Sequence, residues 1–181
     1  MKVSTKKEFI SWLQSILYAF IIVFVAQQFF ISPITVKGES MVPTFQDKDK
    51  LLISKISEIE RFDIIVFDAP DADRKYIKRV IGLPGDRIEV KDDVLYINGE
   101  AIEEQYIMEN REELSFGKLM RDFTLEDLTG EATVPDNSLF VMGDNRRISK
   151  DSRIFGFISY DSVRGKVKFQ IYPFQEIGMP R

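Results

Sequence analysis

The chain has 181 residues, 44% hydrophobic and 30% charged, which suits one folded unit with a single core. A formal net charge of -4 argues against a general nucleic-acid binder. With no histidine and no cysteine, the chain has no disulfides or thiolate metal sites, and a zinc enzyme is disfavoured.

Residues 9–36 carry no charge, and residues 16–31 are dense in Ile, Val, Phe and Ala. A bilayer core needs about 20 predominantly apolar helical residues, and this run meets that. A cleavable secretory signal would have a shorter apolar region and a small-x-small end. Here the run closes on Gln27-Gln28-Phe29-Phe30-Ile31-Ser32-Pro33. An uncleaved membrane helix is therefore expected over residues 9–32, stopped by Ser32-Pro33. Lys2, Lys6 and Lys7 precede it, so the positive-inside rule puts residues 1–8 in the cytoplasm and the rest outside. Lys37, Lys48 and Lys50 on the far side weaken that contrast. Trp12 and Tyr18 are candidate interfacial anchors.

Ile34-Thr35-Val36 reads as a short strand leading into Gly38-Glu39-Ser40-Met41-Val42-Pro43-Thr44. Glycine permits unusual backbone angles, and proline restrains itself and the residue before it. Ser40 thus sits on a stiff, shaped loop, where a nucleophile belongs. Taken alone, a serine in such a loop is most often a solvated turn residue. Without histidine, a nucleophilic Ser40 needs another base, and lysine is the known alternative.

Residues 50–54 and 63–67 read as strands, the second buried on both faces. Residues 75–81 form the next, ended by Pro84-Gly85. Alternation puts Tyr76, Lys78 and Val80 on one face. If that face is buried, desolvation lowers the Lys78 pKa and yields a neutral amine able to accept a proton. The competing account is an edge-strand lysine that discourages aggregation.

Strands are expected at 87–91, 94–97 and 100–102, with Asn98-Gly99 a type I′ hairpin signal. Residues 92–131 hold twelve Asp/Glu against three Lys/Arg. That suits a solvated face on an inserted β-rich subdomain, residues 92–136. A docking surface for the export machinery is the alternative for that face. The chain re-enters the core through a strand at 139–142 and the loop Gly143-Asp144-Asn145-Arg146-Arg147-Ile148-Ser149-Lys150-Asp151-Ser152-Arg153. A last strand covers 163–171. Many short strands with turn signals predict a mainly β fold of packed antiparallel sheets behind the membrane helix, with residues 33–91 and 137–181 as its core.

Three stretches taken together resemble the type I signal peptidases, membrane-bound serine proteases with a Ser-Lys dyad. They are Ser40-Met41-x-Pro43-Thr44, then Tyr76-x-Lys78-Arg79 with Gly82-x-Pro84-Gly85-Asp86, then Gly143-Asp144-Asn145-Arg146-x-x-Ser149-x-Asp151-Ser152-Arg153. They fall in the family's order, and the likeness spans nearly the whole chain, weakly between residues 92 and 136. One departure is Phe62, where the family usually has glycine before the aspartate.

The resemblance implies removal of signal peptides from secreted preproteins at the outer surface of the cell membrane. It calls for no cofactor and no metal. It assigns Ser40 as nucleophile, Lys78 as general base and Ser149 as the hydroxyl that orients the lysine amine. It gives the Ser40 N–H to the oxyanion, with Gly38 at the position of the second donor. It implies that Ile34, Val36, Met41, Tyr76 and Ile77 line shallow pockets for small side chains, though core packing would also explain each. Asp151 and Arg153 match an ion pair holding the loop; Asp144 and Arg146 are expected to brace the same loop, with Asn145 packing beside it. The self-cleaving LexA-type repressors share the Ser-Lys chemistry but are soluble, which the apolar run opposes. A catalytically silent membrane-anchored binding protein on the same scaffold is the other alternative.

Overall fold

The computed structural model describes residues 4–112 and 116–180. Lys2, used above to orient the chain, lies outside them.

Helix α1 spans Ser4–Phe29. Its stretch Lys7–Phe29 is long and apolar enough to cross a membrane, and its apolar 18-residue window is not buried inside the described chain. The helix stops three residues before the expected Ser32-Pro33, and both of those residues lie in strand β1, Ile31–Thr35. The reason is a neighbour the sequence pattern does not reveal. Strand β2, Lys50–Ser54, pairs with β1 from Ile31↔Ser54 to Thr35↔Lys50. Just past β2, Lys55 Nζ donates to the Gln27 and Gln28 carbonyls at 3.0 and 2.8 Å. Those are orphan acceptors of the last helical turn, and a cation there also suits the helix dipole. An edge strand tolerates a proline such as Pro33.

The remaining elements follow in order. β3 is Ile64–Asp68 and β4 is Lys75–Gly82. β5 is Ile88–Lys91, β6 Val94–Ile97 and β7 Glu100–Ile102. A 3₁₀ turn at Gln105–Ile107 runs into α2, Met108–Glu112. β8 is Phe123–Thr124 and α3 Leu125–Thr129, started by a Thr124/Asp127 capping box. β9 is Ser138–Met142, α4 Ser152–Phe155, β10 Ile158–Ser159 and β11 Val163–Tyr172.

Two antiparallel sheets result, so the expected mainly β fold is what forms. The larger has the order β1-β2-β11-β3-β4-β9-β10, the smaller β7-β6-β5-β8. Asn98 and Gly99 both take positive φ, 55° and 84°, as a type I′ turn between β6 and β7 requires. The smaller sheet begins at Ile88, so β5, placed with the core on sequence, belongs to it. Nor does the insert bury a core of its own. Val90, Leu95, Ile97 and Ile107 share one buried cluster with Ile81, Phe140 and Met142 of the larger sheet.

Period-2 alternation sorts the larger sheet's side chains. On β3, Ile64 and Val66 enter a cluster with Val36 and Met41, while Ile65 and Phe67 enter another with Val80 and Val141. Both faces of β3 are therefore buried, which explains its continuous apolar run. Before it, Phe62 holds φ 69°. A left-handed conformation in a bulky residue costs on the order of 1–3 kcal/mol. Here the ring packs beside Tyr106, with centroids 6.2 Å apart, and the Phe62 carbonyl accepts from Arg79 Nη1 at 2.9 Å.

Candidate active site

Two strand edges with no partner strand among the described residues frame a cleft. β1 pairs on one side only, with β2. β9 pairs with β4 only from Arg79 to Gly82, so the stretch 75–78 has an open edge away from β3. The cleft measures about 1030 Å³ and is lined by residues of both strands, by Gly38 to Met41 and by Lys78. Ile34, Val36, Met41, Tyr76 and Ile77 all line it. Val36 and Met41 also belong to the core, at 2% and 1% exposure, so for them lining and packing are one arrangement.

Lys78 Nζ lies 2.7 Å from Ser40 Oγ and donates to the Ile77 carbonyl at 2.9 Å. Its residue is 3% exposed, and among the described residues it forms no ion pair. Burial pushes the ammonium from its ordinary 10.5 down to about 8, against the pull of the Asp151 and Asp144 carboxylates. The ring of Tyr76 sits 5.4 Å from Nζ, with Arg74 5.1 Å over the same ring. A neutral amine at this distance can take the hydroxyl proton.

Arg79, the next residue, is buried equally but held differently. Its Nε and Nη2 donate to the two Asp144 oxygens at 2.9 and 2.7 Å. Thr44 Oγ1 donates to the same carboxylate at 2.5 Å. Asp144 thus joins β4 to the Ser40 loop rather than bracing its own loop. Arg146 reaches both ways: its fully buried guanidinium donates to the Gly143 carbonyl of its own loop at 3.1 Å and pairs with Glu104 of the insert. Tyr106 donates to Glu104 at 2.6 Å and lies 3.9 Å under Arg79. Burial and the Glu104 charge push the Tyr106 phenol up, keeping it a donor.

The loop after β9 is locked from within. Asp151 accepts from Arg153 Nε and Nη2, both at 2.8 Å, and from the Gly143 N–H at 2.9 Å. The Asn145 N–H donates to the Ser40 carbonyl at 3.1 Å. Gly143 lies so close that an added Cβ would overlap the Ser149 side chain and the Ser40 carbonyl. Ser149 Oγ is buried without a hydrogen-bond partner among the described residues, so it does not hold the Lys78 amine in this arrangement. Gly38, at φ 83°, already gives its only N–H to Asp47 Oδ1 at 2.8 Å. That corrects its assignment as an oxyanion donor, since an engaged N–H has nothing left to offer.

Arg79, Thr44 and Gly143 stand inside the motifs but received no role from sequence. Glu104, Tyr106 and Asn110 gave no signal at all, because the contacts that tie them to the loop after β9 and to the Ser40 turn lie 34 to 68 positions away.

Residues 9–172 match the family described as signal peptidase, peptidase S26. The chain is 47% identical over 152 residues to a signal peptidase I of Bacillus caldolyticus, covering 82% of this chain and 83% of that one. It is 40% identical over 179 residues to signal peptidase IB of Staphylococcus aureus, covering 94% and 93%. A crystal structure of a signal peptidase I from Enterococcus faecalis is similar with a TM-score of 0.60 and 44% identity. That match covers 61% of this chain and 97% of the other. The matched span contains Ser40, Lys78 and the loop after β9, and on these findings the chain belongs to the signal peptidase family, peptidase S26.

Proposed function

We propose that this protein removes signal peptides from preproteins by Ser-Lys acyl-enzyme chemistry at a membrane surface. The observation that carries this is the 2.7 Å contact between Ser40 Oγ and a desolvated Lys78 Nζ on the floor of a cleft with two open strand edges. An extended peptide can lie along those edges, using main-chain hydrogen bonds for affinity and the side-chain pockets for selectivity. Neutral Lys78 takes the proton as Ser40 Oγ attacks the scissile carbonyl. The ammonium then protonates the leaving amine, leaving an acyl-Ser40. Lys78, neutral again, activates the water that releases the acyl group. The Ser40 N–H supports the oxyanion. Pockets floored by Val36, Met41 and Ile77 favour small side chains on the acyl side of the cut.

α1 anchors the domain, with its lysine-flanked amino end in the cytoplasm. The chain joins α1 to Ser40 through a single strand, so the cleft stays near the bilayer from which a signal peptide emerges. The test is incubation of the detergent-solubilised protein with a preprotein, followed by sequencing of the new amino terminus. One cut after a small-x-small stretch, absent with Ser40→Ala, is expected. Cleavage that survives Ser40→Ala would refute the mechanism.

A further inference from the structure

Asn110 of the insert reaches the nucleophile loop. Asn110, on α2, donates from Nδ2 to the Val42 carbonyl at 3.0 Å and to the Asp144 carbonyl at 3.1 Å. Both acceptors are carbonyl oxygens, so the amide must present its NH₂ end, with one hydrogen for each. Val42 lies two residues after Ser40. Asp144 carries the carboxylate that binds Thr44 and Arg79, and its neighbour Asn145 holds the Ser40 carbonyl. Asn110 therefore joins three segments: the insert, the turn bearing Ser40, and the loop after β9. α2 is itself fixed from below, where Arg111 Nη2 ties to the Asp93 carbonyl.

We infer that Asn110 is a positioning residue for Ser40, holding the 40–44 turn against the loop after β9 so that the hydroxyl stays aligned for attack. This rests on the Ser40-Lys78 reading above. The hydrogen bonds of Asn110 go to Val42 and Asp144 and not to Ser40 or Lys78, so it governs the geometry of attack and not the availability of the base. A misplacement of about 1 Å at a nucleophile can cost about a hundredfold in rate. Loss of one of several ties should cost less.

The experiment compares wild type, Ser40→Ala, Asn110→Asp and Asn110→Ala as full chains in detergent, each well below its own unfolding temperature. Asn110→Asp keeps the shape but turns a donor into a carboxylate facing two carbonyls. Cleavage of a preprotein should show kcat reduced about tenfold in both Asn110 variants. KM should stay within about twofold, and in Asn110→Ala, which adds no charge, the alkaline midpoint of the rate should not move, because pockets and base are untouched. If Asn110→Asp does not fold, Asn110→Ala reads the same quantities. Retained kcat in a folded variant would overturn the inference, as would a loss confined to KM or a displaced midpoint in Asn110→Ala. Cleavage by Ser40→Ala would sink the underlying mechanism instead.

Discussion

Lys78 and Arg79 are adjacent on β4, and each is 3% exposed. One side chain enters the cleft, where its polar neighbours are a hydroxyl and a carbonyl. The other meets a carboxylate with bidentate geometry, a second hydroxyl, a carbonyl and an aromatic ring. Burial is the same, and compensation differs. A buried cation with a complete shell serves as a fixed brace. A buried cation without one is destabilised and ready to give up its proton. The same strand thus supplies both a structural clamp and a reactive amine, and the position of Asp144 separates them.

Replacing the reactive cation should give the largest effect. Lys78→Met should lower turnover by about 10⁴-fold or more, since the remaining groups cannot activate Ser40. It should also raise thermal stability at neutral pH, because an uncompensated buried charge is removed. The sign follows from the depressed pKa. Below about 8 both folded and unfolded chains carry the ammonium, and the folded state bears the full burial penalty. Between about 8 and 10.5 the folded state is neutral while the unfolded chain still binds the proton, so wild-type stability rises with pH. The gain of Lys78→Met over wild type should therefore shrink across that window, by an amount of order 3 kcal/mol. Paired unfolding curves at several pH values check this.

The mirror experiment breaks the other cation's shell. Asp144→Asn leaves Arg79 buried without its counter-charge and should destabilise by about 3 kcal/mol, read by denaturant unfolding. Opposite signs for Lys78→Met and Asp144→Asn would sharpen the comparison, and equal signs would erase it. Ser149→Ala should be milder. Its hydroxyl is buried and unpartnered in the free protein, so unfolding should be unaffected or slightly delayed. A several-fold loss of turnover in that variant would show that Ser149 finds its partner only once substrate is bound. The smallest effect belongs to Arg74, whose charge beside Tyr76 helps depress the Lys78 pKa. Arg74→Gln should move the alkaline limb upward by about a few tenths of a pH unit, less at high salt, because Arg74 is solvent-exposed.

Much of the scaffold was legible because its signals are local. The uncharged run at 9–36, the continuous apolar β3 and the Asn98-Gly99 turn each state their structure within a few residues. The end of α1 was misread because proline usually stops a helix, whereas pairing with β2 and the Lys55 cap had already ended it at Phe29. Ser40 and Lys78 were legible as a pair only through their motifs. The shell around them was not: the Asp144 carboxylate pairs with Arg79, Arg146 reaches Glu104 as well as its own loop, and the Gly38 N–H goes to Asp47. Partner choice among buried charges is a tertiary matter that spacing does not encode. The acidic composition of the insert hid its links to the core for the same reason, since Glu104, Tyr106 and Asn110 are inward-facing exceptions on a mostly solvated segment.

The difference between the two cations can be measured at Lys78 itself. Lysine side chains labelled with ¹³C at Cε report protonation by chemical shift, and the Lys78 signal is the one missing from Lys78→Met. In the detergent-solubilised protein this signal should titrate with a midpoint near 8, and kcat/KM should rise through the same midpoint. A Lys78 signal that titrates near the unperturbed lysine value of about 10.4 would contradict the account, as would a rate that stays flat while the signal titrates.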